Sequence, residues 1–228
     1  MTRPSLGEIP GMRPEIESLV DELLQHWSRP GASLTARQRT ALVDVVRAAR
    51  VAPGLPPWES PRDHAGLLPA DLSIDDALVD AAWKITMHPG TLTREWYAAV
   101  LANGVEPSTY VEVVGVVSMA NALEHLCNAV GSFAPPLLTP NDGPTGGSTV
   151  SGWISSHWVP TIESDLPNVR TALSVSPGEM AMQGNVLDAF YVPGGALALD
   201  LDAKVWSLER TQLELVAARV STLNECFY

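Results

Sequence analysis

Cys226 is the residue whose sequence neighbours most favour a reactive side chain, here a thiol that ionises readily. It follows Asn224 and Glu225, directly after an apolar run with helical spacing. An asparagine can end that helix and cap the next one, and a glutamate suits a first helical turn. Cys226 would then lie at a helix N-terminus, where free N–H groups stabilise a thiolate. A reactive thiol and an ordinary buried cysteine both fit these residues.

The second cysteine, Cys127, lies in an apolar segment close to Glu124 and His125. Residues that are two positions apart on a helix point about 200° apart around its axis, so His125 and Cys127 should not bind the same ligand. No further ligand pair of the Cys-x-x-Cys type accompanies them, which argues against a metal centre. Cys127 is therefore predicted to be a core residue, with a functional role as the alternative. His26 offers no sign of a role.

The composition is that of a folded protein rather than a disordered one. Of 228 residues, 46% are hydrophobic and 18% are charged, enough for one domain or two small ones. Fourteen Lys and Arg against 26 Asp and Glu give a formal charge of −12, which argues against nucleic acid or an anionic membrane as partner. The sequence shows neither a signal peptide nor an apolar run of about 18 residues, so a cytoplasmic protein is expected. Two cysteines fit a reducing compartment.

Apolar residues at spacings of three and four predict helices along most of the chain. Ser73 and Asp76 resemble a capping box, and Thr93 can cap the helix that follows it. The β-branched run at 111–117 is assigned to a helix because no turn separates it from the apolar pattern that follows. No segment is convincing as a strand, so the predicted fold is all-α, built from helix pairs. The predicted helices cover about 14–27, 35–52, 73–88, 93–103, 107–131, 179–191 and 208–223.

In residues 132–168 the apolar residues show no helical or strand-like spacing, and the segment is rich in Pro, Gly and Ser. A loop of this length is usually functional or lies draped over the protein surface. Trp153 and Trp158 favour draping, because two indoles would bury a large apolar area. In the last predicted helix, Leu213, Val216, Val220 and Leu223 form a stripe that is expected to face the core.

The segment "ERTQLELVAARVSTLNECFY" (209–228) resembles the first part of the active-site signature of the alkylhydroperoxidase (AhpD-like)/carboxymuconolactone decarboxylase-like superfamily. That signature is a Glu, eleven residues, then Cys-x-x-Cys-x-x-x-His, and eleven residues separate Glu214 from Cys226. The stretches "STYVEVVGVVSMANALEHLCNAVG" and "HWVPTIESDLPNVRTALSVSPGEM" also resemble peroxidase-related members. The second cysteine and the histidine would fall at positions 229 and 233, so the chain is expected to be a fragment, with a natural stop as the alternative.

The resemblance implies a helical bundle of the AhpD-like type with two related halves, the second truncated. Residues 1–131 would be a degenerate, non-catalytic half, 132–168 a connecting loop, and 169–228 the start of the C-terminal half. A shift of 174 residues places 34–50 beside 208–224, with Thr40 replacing the acid and Ala52 the first cysteine.

The resemblance also implies a function, a thiol-dependent peroxidase or peroxidase-related oxidoreductase. Its catalytic residues would be Cys226, as the first cysteine, and Glu214, as the acid of a proton relay. A single helix from 214 to 226 would hold the two residues about 18 Å apart, so the relay requires a break near Asn224.

The implied partners are a small peroxide or lactone substrate, a thiol reductant and further copies of the chain, without a cofactor. Nucleic acid and membrane are not expected as partners, given the acidic net charge. One alternative is a decarboxylase-like acid–base enzyme that does not depend on Cys226. The other is a non-catalytic oligomeric helical module, for which "VEVVGVV" (111–117) is apolar enough to pack against another subunit.

Overall fold

The structure is a computed structural model that describes residues 3–147, 157–162, 168–194 and 200–223. In this part of the chain the regular structure is mostly helical, with one short antiparallel hairpin. The α-helices are α1 (Pro14–Trp27), α2 (Ala36–Val51), α3 (Asp76–Met87), α4 (Arg94–Ala102), α5 (Pro107–Val130), the single-turn α6 (Asn168–Thr171), α7 (Pro177–Phe190) and α8 (Arg210–Leu223). The hairpin pairs β1 (Lys204–Val205) with β2 (Leu208–Glu209). The predicted helical class is confirmed, whereas the expectation of no strand is wrong.

The chain divides into two compact units, Met1–Gln183 and Gly184–Tyr228. The boundary between the units falls within the residues of α7. The division at 131 and 168, which follows the two related halves of the family, stays a prediction.

Helices α2, α3 and α5 pack on one another and form the centre of the first unit. Within the described residues, α5 alone has the length and hydropathy of a membrane span, but it is largely a core helix, with eleven of its 24 residues buried. Val111, Val113, Val116 and Val117 are among them. The expectation that 111–117 packs against another subunit is therefore wrong, because these residues are covered within the chain.

The helix ends follow the local sequence closely, with one exception. Thr93 accepts a hydrogen bond from the Trp96 amide at 3.2 Å, as predicted, and Gly131 ends α5 in the left-handed conformation. The predicted capping box at Ser73 is wrong, because α3 begins at Asp76 with Asp75 as its N-cap. Asp75 lies closer to the apolar run, although its side chain makes no capping hydrogen bond.

Residues 141–146 lie draped over the connection between α1 and α2. The amides of Asn141 and Gly146 donate to the carbonyls of Ser28 and Gly31 at 2.7 and 2.8 Å. The predicted draping is thus confirmed for this part of the loop. Trp153 lies outside the described residues. The expected burial of Trp158 is wrong, because its side chain is 44% exposed, with the Arg94 guanidinium 5.7 Å from its ring centre.

In the second unit, the hairpin leads directly into α8. The Arg210 amide donates to the Ala203 carbonyl at 3.0 Å, which extends the strand pairing into the first residue of the helix. The predicted core stripe of α8 is wrong, since Val216 and Leu223 are 57% and 64% exposed. The apolar spacing correctly predicted a helix, but nothing in the described residues covers this face.

Candidate functional site

Glu214, the predicted relay acid, lies in the second turn of α8 and is held by two neighbouring side chains. The Tyr191 hydroxyl donates to its Oε1 at 2.6 Å. Arg210, one helical turn earlier, donates to the same oxygen through Nε at 2.7 Å and Nη2 at 2.6 Å. All these donors converge on Oε1. The other oxygen, Oε2, accepts no hydrogen bond from the part of the chain that the structure describes.

The charge state of this group follows from its donors. The hydrogen bond from Tyr191 lowers the pKa of Glu214, Arg210 adds to this, and partial burial opposes it. Burial and the neighbouring carboxylate raise the pKa of Tyr191, so its proton remains on the phenol. Glu214 is therefore an ionised carboxylate whose Oε2, left open by the described residues, can accept a proton or a hydrogen bond.

Cys226 and Asn224 lie outside the described residues, so the structure places one member of the predicted pair. The predicted break at Asn224 and the approach of Cys226 to Glu214 stay predictions.

Cys127 is a core residue, as predicted, with 2% of its surface exposed. Burial raises the pKa of its thiol, which keeps the sulfur protonated and unreactive. His125 lies on the exposed side of α5, with its ring nitrogens 2.9 and 3.1 Å from the guanidinium of Arg50. The predicted separation of His125 and Cys127 on the helix is thus confirmed.

A buried charged cluster in the first unit was missed by the sequence analysis. Arg39 of α2 donates to Glu112 of α5 at 3.3 Å and to Glu179 of α7 at 2.6 Å. The side chains of these three residues are only 1–2% exposed. His26 of α1 approaches the same Glu179 oxygen at 2.8 Å and is 17% exposed. The cluster therefore connects four helices through one guanidinium and two carboxylates.

Backbone amides donate hydrogen bonds to one of these charged side chains, and two glycines leave space for the carboxylates. The amides of Ser33 and Leu34 donate to Glu112 Oε2 at 2.7 and 3.3 Å. Burial raises the pKa of Glu112, and the hydrogen bond from Ser33 and the charge of Arg39 oppose this. Gly31 lies directly against the Glu112 carboxylate, and Gly115 lies beneath Glu179, so neither position has room for a side chain.

Two atoms of the cluster have no hydrogen-bond partner among the described residues: Arg39 Nε and Glu179 Oε2. The Arg39 guanidinium thus engages Glu179 through one nitrogen only, and His26 approaches the same carboxylate oxygen, Oε1. Arg39 and Glu179 are 140 residues apart, so no local pattern could reveal their pairing. The available signal was a charged residue inside an apolar run, as at Glu112 in "VEVVGVV".

Across the residues that the structure covers, no group of three or more His, Cys, Asp or Glu side chains could hold a metal ion. Comparison with known proteins adds no assignment to these clusters. No protein-family model, no curated protein and no solved structure matches this chain.

Proposed function

We propose that the C-terminal unit carries the first part of an alkylhydroperoxidase-like site, and that the protein is a thiol-dependent peroxidase or peroxidase-related oxidoreductase. Cys226 is the first cysteine of the motif and Glu214 is the relay acid. One observation carries the proposal. The Glu214 carboxylate, which eleven residues separate from Cys226, is ionised and held on one oxygen by Tyr191 and Arg210, while no residue that the structure describes donates to the other oxygen.

The proposed chemistry uses the open oxygen as a proton acceptor. Glu214 Oε2 takes the proton of the Cys226 thiol, and the thiolate attacks one oxygen of a peroxide. The O–O bond breaks, the hydroxyl oxygen that was attacked stays on sulfur as a sulfenic acid, and the alkoxide leaves as the alcohol by taking back the proton held on Glu214. A thiol reductant then condenses with the sulfenic acid to give a disulfide and water, and a second thiol reduces that disulfide. Cys127 is buried and does not take part.

The AhpD-like arrangement of two related halves, a cytoplasmic location and assembly into a homo-oligomer belong to the same proposal. The two related halves and the homo-oligomer rest on the resemblance to the family signature, and the location rests on a cysteine content that fits a reducing compartment.

The test measures the reactivity of Cys226 in the whole chain. Iodoacetamide and an alkyl hydroperoxide are added separately, and modification at each cysteine is followed by mass spectrometry. We expect Cys226 to react faster than Cys127 with both reagents. Glu214→Gln should slow the reaction of Cys226 by at least ~10-fold, since general-base assistance is commonly worth this much or more. The exposed Glu209→Gln is the matched control and should have no effect.

A Cys226 that reacts no faster than free cysteine, or that is insensitive to Glu214→Gln, contradicts the proposal. Turnover of a lactone acid that survives Cys226→Ser would instead favour the decarboxylase-like branch.

A second candidate function is a non-catalytic assembly module, favoured by the exposed apolar side chains of α8. Leu215 and Val216 are 71% and 57% exposed, and Leu223 is 64% exposed. Apolar residues at this density on a helix are typical of protein interfaces. Sedimentation analysis of Leu215→Lys and Val216→Lys tests this candidate. Dissociation of an oligomer without loss of peroxide reactivity would separate assembly from chemistry.

A further inference from the structure

An open cleft in the first unit lies between the end of α2, the last turns of α5 and the segment that follows α5. Its volume is about 400 Å³, within the range of small-ligand sites. Three arginines line it, Arg3, Arg47 and Arg50, together with an apolar wall that includes Val51 and Phe133. All of these residues belong to the first unit, and none takes part in the Glu214 group or in the buried cluster around Arg39.

The charge of the cleft is opposite to that of the protein. The chain has 26 acidic residues for 14 Lys and Arg, so an arginine without a carboxylate partner is unexpected. One carboxylate lines the cleft, that of Glu124, and it is paired with Arg47, whose Nε lies 2.8 Å from Glu124 Oε1. Arg47 also donates through Nη2 to the Pro135 carbonyl. Arg3 and Arg50 form no ion pair with any described residue, which leaves two positive charges for a ligand.

The Arg50 guanidinium has more N–H donors than its neighbours have acceptors for them. Its Nη1 and Nη2 face the two ring nitrogens of His125 at 2.9 and 3.1 Å, and Nη1 also lies 3.4 Å from Asn121 Oδ1. A neutral imidazole has only one acceptor nitrogen, so at most one of these contacts is a hydrogen bond. Burial, and secondarily the charge of Arg50, lower the pKa of His125, which favours the neutral ring. At least one N–H of the guanidinium is therefore poorly satisfied by His125.

The wall of the cleft supplies apolar contacts beside these charges. Val51 is 87% exposed and Phe133 is 60% exposed. The Arg3 guanidinium lies 5.7 Å from the centre of the Phe133 ring. The Phe133 amide donates to the Pro4 carbonyl at 3.3 Å, which fixes the N-terminal segment against this side of the cleft. A hydrocarbon group bound next to the arginines would cover Val51 and Phe133.

We propose that this cleft binds a small organic anion, a carboxylate or a phosphate ester, with Arg3 and Arg50 on the anionic group and Val51 and Phe133 on the hydrocarbon. Guanidinium groups suit either anion, because their N–H fork matches both. The inference goes beyond the proposed peroxidase function and does not depend on it.

The experiment titrates the whole chain with benzoate, phenyl phosphate, inorganic phosphate and neutral benzamide, by calorimetry at low salt. We expect benzoate or phenyl phosphate to bind, and whichever binds more tightly identifies the anion. Inorganic phosphate should bind at least ~10-fold more weakly than phenyl phosphate because it cannot use the apolar wall. Benzamide should not bind.

Two pairs of variants locate the site. Arg50→Gln should weaken binding by about tenfold or more, as expected for the loss of a charge-assisted hydrogen bond, whereas Arg37→Gln, on the exposed Arg37–Asp142 pair, should not. Val51→Glu places a repelling carboxylate at a very exposed position and should abolish binding without affecting the fold, whereas Val51→Gln should retain it.

Three results would overturn the proposal. They are no binding of either organic anion at millimolar concentration, equal binding of phenyl phosphate and inorganic phosphate, and binding that is unchanged in Val51→Glu.

Discussion

Nη2 of Arg39 lies 2.6 Å from Oε1 of Glu179, and both side chains are almost completely buried. Because Glu112 also depends on Arg39, Arg39→Met would leave two buried carboxylates without their cation. We expect this change to lower the free energy of unfolding by roughly 3–5 kcal/mol, measured by urea denaturation. Arg37→Met removes an exposed ion pair from the same helix and should change little. Equal stability of Arg39→Met and the wild-type chain would contradict this account.

Gly115 allows α5 to approach the Glu179 side chain. A Cβ at position 115 would lie 2.6 Å from Glu179 Cβ and 2.7 Å from its Cγ, too close for any real contact. Gly115→Ala should therefore destabilise the protein by roughly 1–3 kcal/mol. Gly184→Ala is the matched control, since position 184 is also helical and a Cβ added there would meet no neighbouring atom within 4 Å. This change should stabilise the protein by about 0.5–1 kcal/mol. Thermal unfolding of both variants gives the comparison, and the same sign for both would be evidence against the packing argument.

Tyr191 is the main cause of the lowered pKa of Glu214. Tyr191→Phe should therefore raise the pKa of this carboxyl towards its ordinary value, as measured by NMR titration of the side-chain carbon. The sign for stability follows from linkage. A carboxyl whose pKa is lower in the folded state stabilises the fold above its unfolded pKa, and this contribution is lost as the pH falls through the folded pKa. Tyr191→Phe should weaken that acid dependence, and an unchanged titration of Glu214 would show that the hydrogen bond does not control its charge.

His125 reports on the charge of the cleft that Arg3, Arg47 and Arg50 line, called here the arginine cleft. Burial lowers its pKa, and the neighbouring Arg50 lowers it further. Arg50→Gln should thus raise the pKa of His125, and so should an organic anion bound beside Arg50. Proton NMR of the imidazole follows both effects, with His64, which contacts Glu59 elsewhere, as the internal control. A His125 titration that benzoate and phenyl phosphate leave unchanged would place the anion away from Arg50.

The sequence predicted local structure well and tertiary pairing poorly. The bounds of α1 and α5 follow from Pro14, Pro107 and Gly131, because helix starts and stops depend on neighbouring residues. The periodicity of α8 predicted a helix but not its surroundings, because an apolar stripe does not specify what covers it.

The candidate sites divide in the same way. Glu214 was identified by its spacing from Cys226, but its partner Tyr191 lies 23 residues away and carries no motif. Arg39, Glu112 and Glu179 are brought together only by the packing of three helices. The arginine cleft likewise combines residues from three separate parts of the chain, so no single segment could reveal it.

The connection between α1 and α2 has its backbone polar groups satisfied from two sides. Glu112 accepts from the amides of Ser33 and Leu34, while Asn141 and Gly146 donate to the carbonyls of Ser28 and Gly31. The draped segment therefore completes a hydrogen-bond network that begins at a buried carboxylate. In amide exchange, Asn141 and Gly146 should be protected like residues of a helix, although they lie in neither helix nor strand. Their exchange should quicken together with that of Ser33 when the Glu112 carboxylate is removed.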